Sequence, residues 1–208
     1  MPALPLLAFA AAQALPAAPP AAGALPPRAV DCILKRGRRR VVDLLVTEPA
    51  APAEAAALQA LATVIQRCGA SSPAGDGEAG AALRAALSRT LVTRMVQRVE
   101  MGPNSNPDFS PDHFRVERGY DHAGVMQRPY RLADCMASVN LVGVANVSGT
   151  QPGSPAEREA LRALAPTLSS CVDRNQQLAL SPRLLRIAID IVYARRTLTL
   201  LRSVKPGR

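Results

Sequence analysis

Leu58, Leu61, Ile65 and Cys68 follow one another at the three- and four-residue spacings of a single helical face. Leu161, Leu164, Leu168 and Cys171 repeat that stripe further along the chain. Each stripe begins after a break, Pro49-Ala50-Ala51-Pro52 in one case and Gln151-Pro152-Gly153 in the other. Ser154 can cap the second of these helices, Pro155 suits its first position, and Glu157 completes a capping box. Ahead of the first break, Leu34, Val41, Leu44 and Leu45 form the inward side of another helix. A third helix begins near Glu78, with Leu83, Leu87, Leu91, Met95 and Val99 on one face, and ends before Gly102-Pro103. Its counterpart opens at Leu180-Ser181-Pro182 and buries Leu184, Leu185, Ala188, Ile189, Val192 and Tyr193.

These patterns superimpose. Asp31-Cys32 falls on Asp134-Cys135, and Cys68 falls on Cys171 at the same offset, since 135 − 32 and 171 − 68 both give 103. Thr47, Pro52, Ala53, Glu54, Leu58 and Leu61 then fall on Thr150, Pro155, Ala156, Glu157, Leu161 and Leu164. Leu83-Arg84 with Ala86 is echoed by Leu185-Arg186 with Ala188 after a shift of one residue. The reading is an internal duplication that makes an all-α fold of two tandem three-helix repeats sharing one core. Residues 31–99 are the first repeat, 100–133 an irregular connector and 134–208 the second repeat. One part of the second copy resists this reading. Val139 to Val147 is rich in β-branched residues and contains Gly143, so its local propensity permits a strand. The duplication makes it a helix, and Pro166 is expected to kink the next helix or shift its start.

If the first two helices of a copy fold back on each other, the start of one lies beside the end of the other, where the two cysteines sit. A disulfide there closes the open end of a hairpin and stabilises it by about 3–4 kcal/mol. Free buried thiols and metal ligation are the competing readings. Zinc sites usually draw on close pairs of cysteines, and no two cysteines here are near in sequence. Four cysteines allow three connectivities, of which the duplication favours Cys32–Cys68 with Cys135–Cys171.

Composition sharpens the fold class more than the function. Aromatic residues make up 3% of the 208 residues, while Ala and Leu dominate the apolar fraction, which favours helices. The net charge of +9 comes almost wholly from Arg. Lys35, Arg36, Arg38, Arg39 and Arg40 form the densest run, either a solvated helix face or an arm for phosphate and carboxylate groups. The matching stretch of the second copy, Ser138 to Gly143, carries no charge. Near the N-terminus, an apolar run from Leu4 to Ala12 followed by Ala12-Gln13-Ala14 reads as a secretory signal peptide, although no basic residue precedes it. Residues 1–30 are therefore expected to be a signal peptide with an Ala/Pro-rich leader, and the protein to be periplasmic or secreted. The prolines at 5, 16, 19 and 20 disfavour a membrane-spanning helix.

The connector holds the chain's only concentration of imidazole, carboxylate and phenol groups: Asp112, His113, Tyr120, Asp121 and His122. A histidine beside a carboxylate can move a proton or bind a metal. Adjacent residues on a chain generally point apart, so an aromatic connector with surface His-Asp pairs is the plainer reading. The Asp-Cys starts, the Pro-x-x-Pro-Ala-Glu turn, the Leu-x-x-Leu stripe ending in Cys and the capped third helix resemble exported bacterial proteins built on cysteine-bracketed helical repeats. That resemblance runs from Asp31 through most of the chain and implies architecture, with no activity and no catalytic residues. No phosphate loop, nucleophile motif, zinc helix or calcium loop is present. Three functions follow: an exported binding or structural module for an envelope partner or ligand, without a cofactor; a hydrolytic or metal-dependent enzyme built on His113 and His122; and a cytosolic nucleic-acid binder, which export disfavours.

Overall fold

A computed structural model describes residues 25–49, 51–71, 77–99, 127–172 and 181–203. Among the described residues the fold is all-α, with eight helices and no strand. They are α1 (Pro27–Val46), α2 (Pro52–Arg67), α3 (Glu78–Val99), α4 (Gln127–Val139), α5 (Leu141–Gly149), α6 (Pro155–Ala163), α7 (Ala165–Ser170) and α8 (Pro182–Ser203). α1 and α2 form the first hairpin against α3. The bent pairs α4–α5 and α6–α7 occupy the same order against α8. None of these helices is long and apolar enough to cross a membrane.

Local chemistry sets the boundaries. Pro52, Pro155 and Pro182 each begin a helix where a missing N–H costs nothing. Ser154 Oγ accepts from Glu157 N at 3.1 Å, and the Glu157 carboxylate reaches back to Gly153 N at 2.5 Å. The expected capping box is thus formed with its return bond one residue before the cap. α4 begins at Gln127, so its first turns lie inside the stretch expected to be irregular. Tyr130, Leu132 and Ala133 are buried there, and burying them is what holds this stretch helical.

The β-branched stretch of the second half is helical but interrupted. Asn140 leaves the helical conformation at φ −147°, ψ 75°, and its side-chain oxygen accepts from Gly143 N at 2.8 Å, which ends α4 and caps α5. The first half bends at the matching place. Gly37, 103 residues before Asn140, sits at φ −124°, ψ 23° inside α1. A Cβ there would come within 3.2 Å of Leu61 and 3.3 Å of Val64, so the kink lies directly against α2. Pro166 divides the last helix of the second hairpin at Leu164, because proline offers no N–H to the preceding turn.

Buried apolar residues form two clusters rather than one. The first gathers Ile33, Leu44, Leu61, Ile65, Leu87 and their neighbours. The second gathers Tyr130, Met136, Val144, Leu164, Ile189 and theirs. α3 and α8 line both: Ala81 and Ala85 of α3 join the second cluster, and Leu198 of α8 joins the first.

Candidate functional site

Both cysteine pairs are bonded. Cys32 joins Cys68 with Cα atoms 5.7 Å apart, and Cys135 joins Cys171 at 5.8 Å, each closing the open end of its hairpin. Bonded cysteines are the state expected in an oxidising compartment.

At the opposite, turn end of each hairpin a buried arginine from the third helix fastens the turn. Arg84, fully buried, donates through Nη1 to Glu54 at 2.6 Å and through Nη2 to the carbonyls of Leu45 and Thr47. Arg186 does the same with Glu157 at 2.7 Å and the carbonyls of Ser148 and Thr150. One guanidinium thus holds the C-terminal carbonyls of one helix and the first-turn carboxylate of the next. Its planar fork suits that task as an ammonium could not. A second arginine ten residues further on fastens the start of each half. Arg94 pairs with Asp31 at the surface, and the buried Arg196 pairs with the half-buried Asp134 and also reaches Ser138.

The halves differ at the residue four beyond the turn arginine. In α8 this is Asp190, whose side chain is completely buried. It accepts from Arg186 Nε at 3.1 Å on both oxygens, from Ser148 Oγ at 2.9 Å, and from Arg89 of α3 at 2.9 Å. Burial pushes its carboxyl up to about 6, outweighing the opposing pull of Arg186 and Arg89. In α3 the matching residue is Ser88, whose buried hydroxyl finds no hydrogen-bond partner among the described residues, nor does Arg84 Nε. Burial likewise raises Tyr193, against the hydrogen bond with Thr197.

Two surfaces face outward from matching parts of the fold. Lys35, Arg36, Arg38, Arg39 and Arg40 are all exposed on α1, and none of them makes an ion pair among the described residues. In the second half, Val139 and Val142 occupy the positions of Arg36 and Arg39 and are 61% and 71% exposed. Val142 lines a shallow groove of about 450 Å³ between α5 and α6, with Asn140, Asn146, Glu159 and Ala160 on its walls.

Asp112, His113, Tyr120, Asp121 and His122 lie outside the described residues. Most of the expected signal peptide and leader does too. Among the described residues, no group of three or more His, Cys, Asp or Glu could hold a metal ion. Of the aligned residues Asp31, Asp134, Glu54, Glu157, Arg84 and Arg186, only Glu157 has a role legible in the sequence, in the capping box; none is foreseen as part of an ion pair. Their signal was present: both third helices carry arginines ten residues apart, Arg84 with Arg94 and Arg186 with Arg196. No family model, curated protein or solved structure matches the chain.

Proposed function

We propose that the protein is an exported binding or structural module of the cell envelope, made from a duplicated, disulfide-closed helical unit whose outer surface does the work. One observation carries this reading. The internal fastenings recur in both halves, while the solvent-facing positions between them have diverged from Arg36 and Arg39 to Val139 and Val142. A frame that repeats its interior and varies its exterior is suited to presenting surfaces to partners. The two bonded cysteine pairs support export, as does the apolar stretch ending in Ala12-Gln13-Ala14.

Thiol trapping tests the proposal. Periplasm is separated from cytosol in the native host, free thiols are alkylated at once, and cysteine peptides are mapped without reduction. The expected product is a periplasmic protein with Cys32 linked to Cys68 and Cys135 linked to Cys171. A cytosolic chain with four alkylated cysteines overturns it.

A further inference from the structure

We propose that the outward face of α1 is a docking surface for an anionic phospholipid membrane, held there by Lys35, Arg36, Arg38, Arg39 and Arg40. The inference deepens the envelope-module reading by naming the partner. The fold does not require this charge. The same positions in the second half, Ser138, Val139, Leu141, Val142 and Gly143, are neutral, yet α4 and α5 pack through the matching buried residues Met136, Val144 and Val147. Like charges one helical turn apart, such as Lys35 with Arg39 and Arg36 with Arg40, oppose the helix they sit on. Their concentration is explained by a partner that neutralises them.

The shape of the patch selects the partner. The five side chains lie within roughly 8 Å of helix length and fan around the side opposite Val30, Ile33, Leu34, Val41 and Leu44, all of which are buried. All five are exposed and spread over the helix surface, so they suit a broad sheet of charge better than a small anion. No aromatic residue lies between Pro27 and Val46 to stack on nucleobases, the usual companion of cations in single-strand binding. Arginine forks match phosphate oxygens in pairs, and basic residues near an anionic bilayer are drawn to it over about one Debye length.

The test uses the oxidised full-length chain, sedimented with vesicles of phosphatidylglycerol in phosphatidylcholine and with vesicles of phosphatidylcholine alone. Two variants of equal net charge are compared: Arg36→Gln/Arg39→Gln/Arg40→Gln, and Arg128→Gln/Arg158→Gln/Arg162→Gln. The substituted residues are exposed in both, and circular dichroism checks that each variant is folded. The expected result is salt-sensitive binding to the anionic vesicles alone, weakened at least tenfold in the α1 variant and less than threefold in the other. Equal losses in the two variants, equal binding to neutral vesicles, no vesicle binding, or tighter binding to duplex DNA at the same salt each overturn the proposal. Because the assay is made on purified protein, its failure leaves the export reading to thiol trapping, and the two can fail separately.

Discussion

Arg89 of α3 reaches Asp190 of α8 across 2.9 Å, a half-buried bond between the third helices of the two halves. Asp190 also holds Arg186, which holds the turn between α5 and α6, so one carboxylate links the inter-half contact to the second hairpin. Raised from an ordinary carboxylate value to about 6, Asp190 binds a proton in the native protein at pH values where the unfolded chain has released it. Its contribution to stability is therefore fully present below about pH 4 and is lost as the pH rises through 6. The charges facing it are Arg186 and Arg89, with Glu157 beyond Arg186. In urea denaturation from pH 4 to 7, the difference between the parent protein and Asp190→Asn should change by on the order of 2–3 kcal/mol. The parent should lose the stability as pH rises. A pH-independent difference would show that the carboxyl titrates alike in both states.

Ser88 sits where Asp190 sits in the other half, but its buried hydroxyl has no partner among the described residues. Ser88→Ala removes an uncompensated polar group and should stabilise the protein by about 1 kcal/mol. Chemical denaturation at fixed pH measures the sign, and a loss of stability would mean that the hydroxyl is paired in solution.

The turn arginines make a stronger demand. Arg84→Met leaves Glu54 buried without its cation and strands the carbonyls of Leu45 and Thr47, which should cost about 3–5 kcal/mol. Arg84→Lys should recover only part of it, because one ammonium cannot reproduce the fork. Arg84→Met with Glu54→Leu should be less damaging than Arg84→Met alone, since the buried carboxylate is then removed together with its cation. A double-mutant cycle in urea tests all of this, and additive losses would argue against the ion pair.

Much of this fold is legible in the sequence wherever one residue has one task. The stripes Leu58 to Cys68 and Leu161 to Cys171 predict the hairpins, the break at Pro49 to Pro52 separates the first two helices, and the proline starts predict the boundaries at 155 and 182. What stays hidden depends on partners far apart in sequence. Nothing near Arg84 says that its guanidinium will meet Glu54 thirty residues away, and a helical arginine is ordinarily read as solvated. Asn140 is hidden for another reason: the stretch around it is β-branched, and only packing of Val144 and Val147 against α8 keeps it helical. The division into two clusters, both lined by α3 and α8, is hidden likewise, because the stripes of these helices show which residues are buried but not against what.

The glycines of the two bends should separate sharply. A Cβ at Gly143 would lie 2.6 Å from Leu164 Cδ1 and 2.8 Å from Asn140 Nδ2, against a buried leucine and the cap of α5. Gly143→Ala should therefore destabilise by roughly 1–3 kcal/mol. At Gly37 the nearest atoms stand at 3.2 and 3.3 Å on side chains, and its φ is negative, so Gly37→Ala should change stability by less than about 1 kcal/mol. Thermal unfolding of the two variants checks the order, and equal effects would remove the close contact at Leu164 as the cause.

The disulfides close loops of the same length, their partners 36 positions apart in each, so loop entropy alone predicts equal contributions of about 3–4 kcal/mol. The helices they join are not equal. Cys68 ends the continuous α2, whereas Cys171 ends α7, a helix of six residues cut off from α6 at Leu164. With the cross-link gone, α7 keeps the packing of Leu168 against the second cluster and the hydrogen bond that Asn140 Nδ2 donates to Thr167 Oγ1 at 3.4 Å, and so short a helix is marginal by itself. Replacing Cys135 and Cys171 with Ser should therefore loosen the second half locally, with faster amide exchange over residues 165–171 than over residues 62–68 in the matching Cys32/Cys68 variant. Both variants should show lower unfolding temperatures than the oxidised parent. Hydrogen exchange read by mass spectrometry resolves the two segments, and equal protection in the two variants would show that the break at Leu164 does not weaken the hairpin.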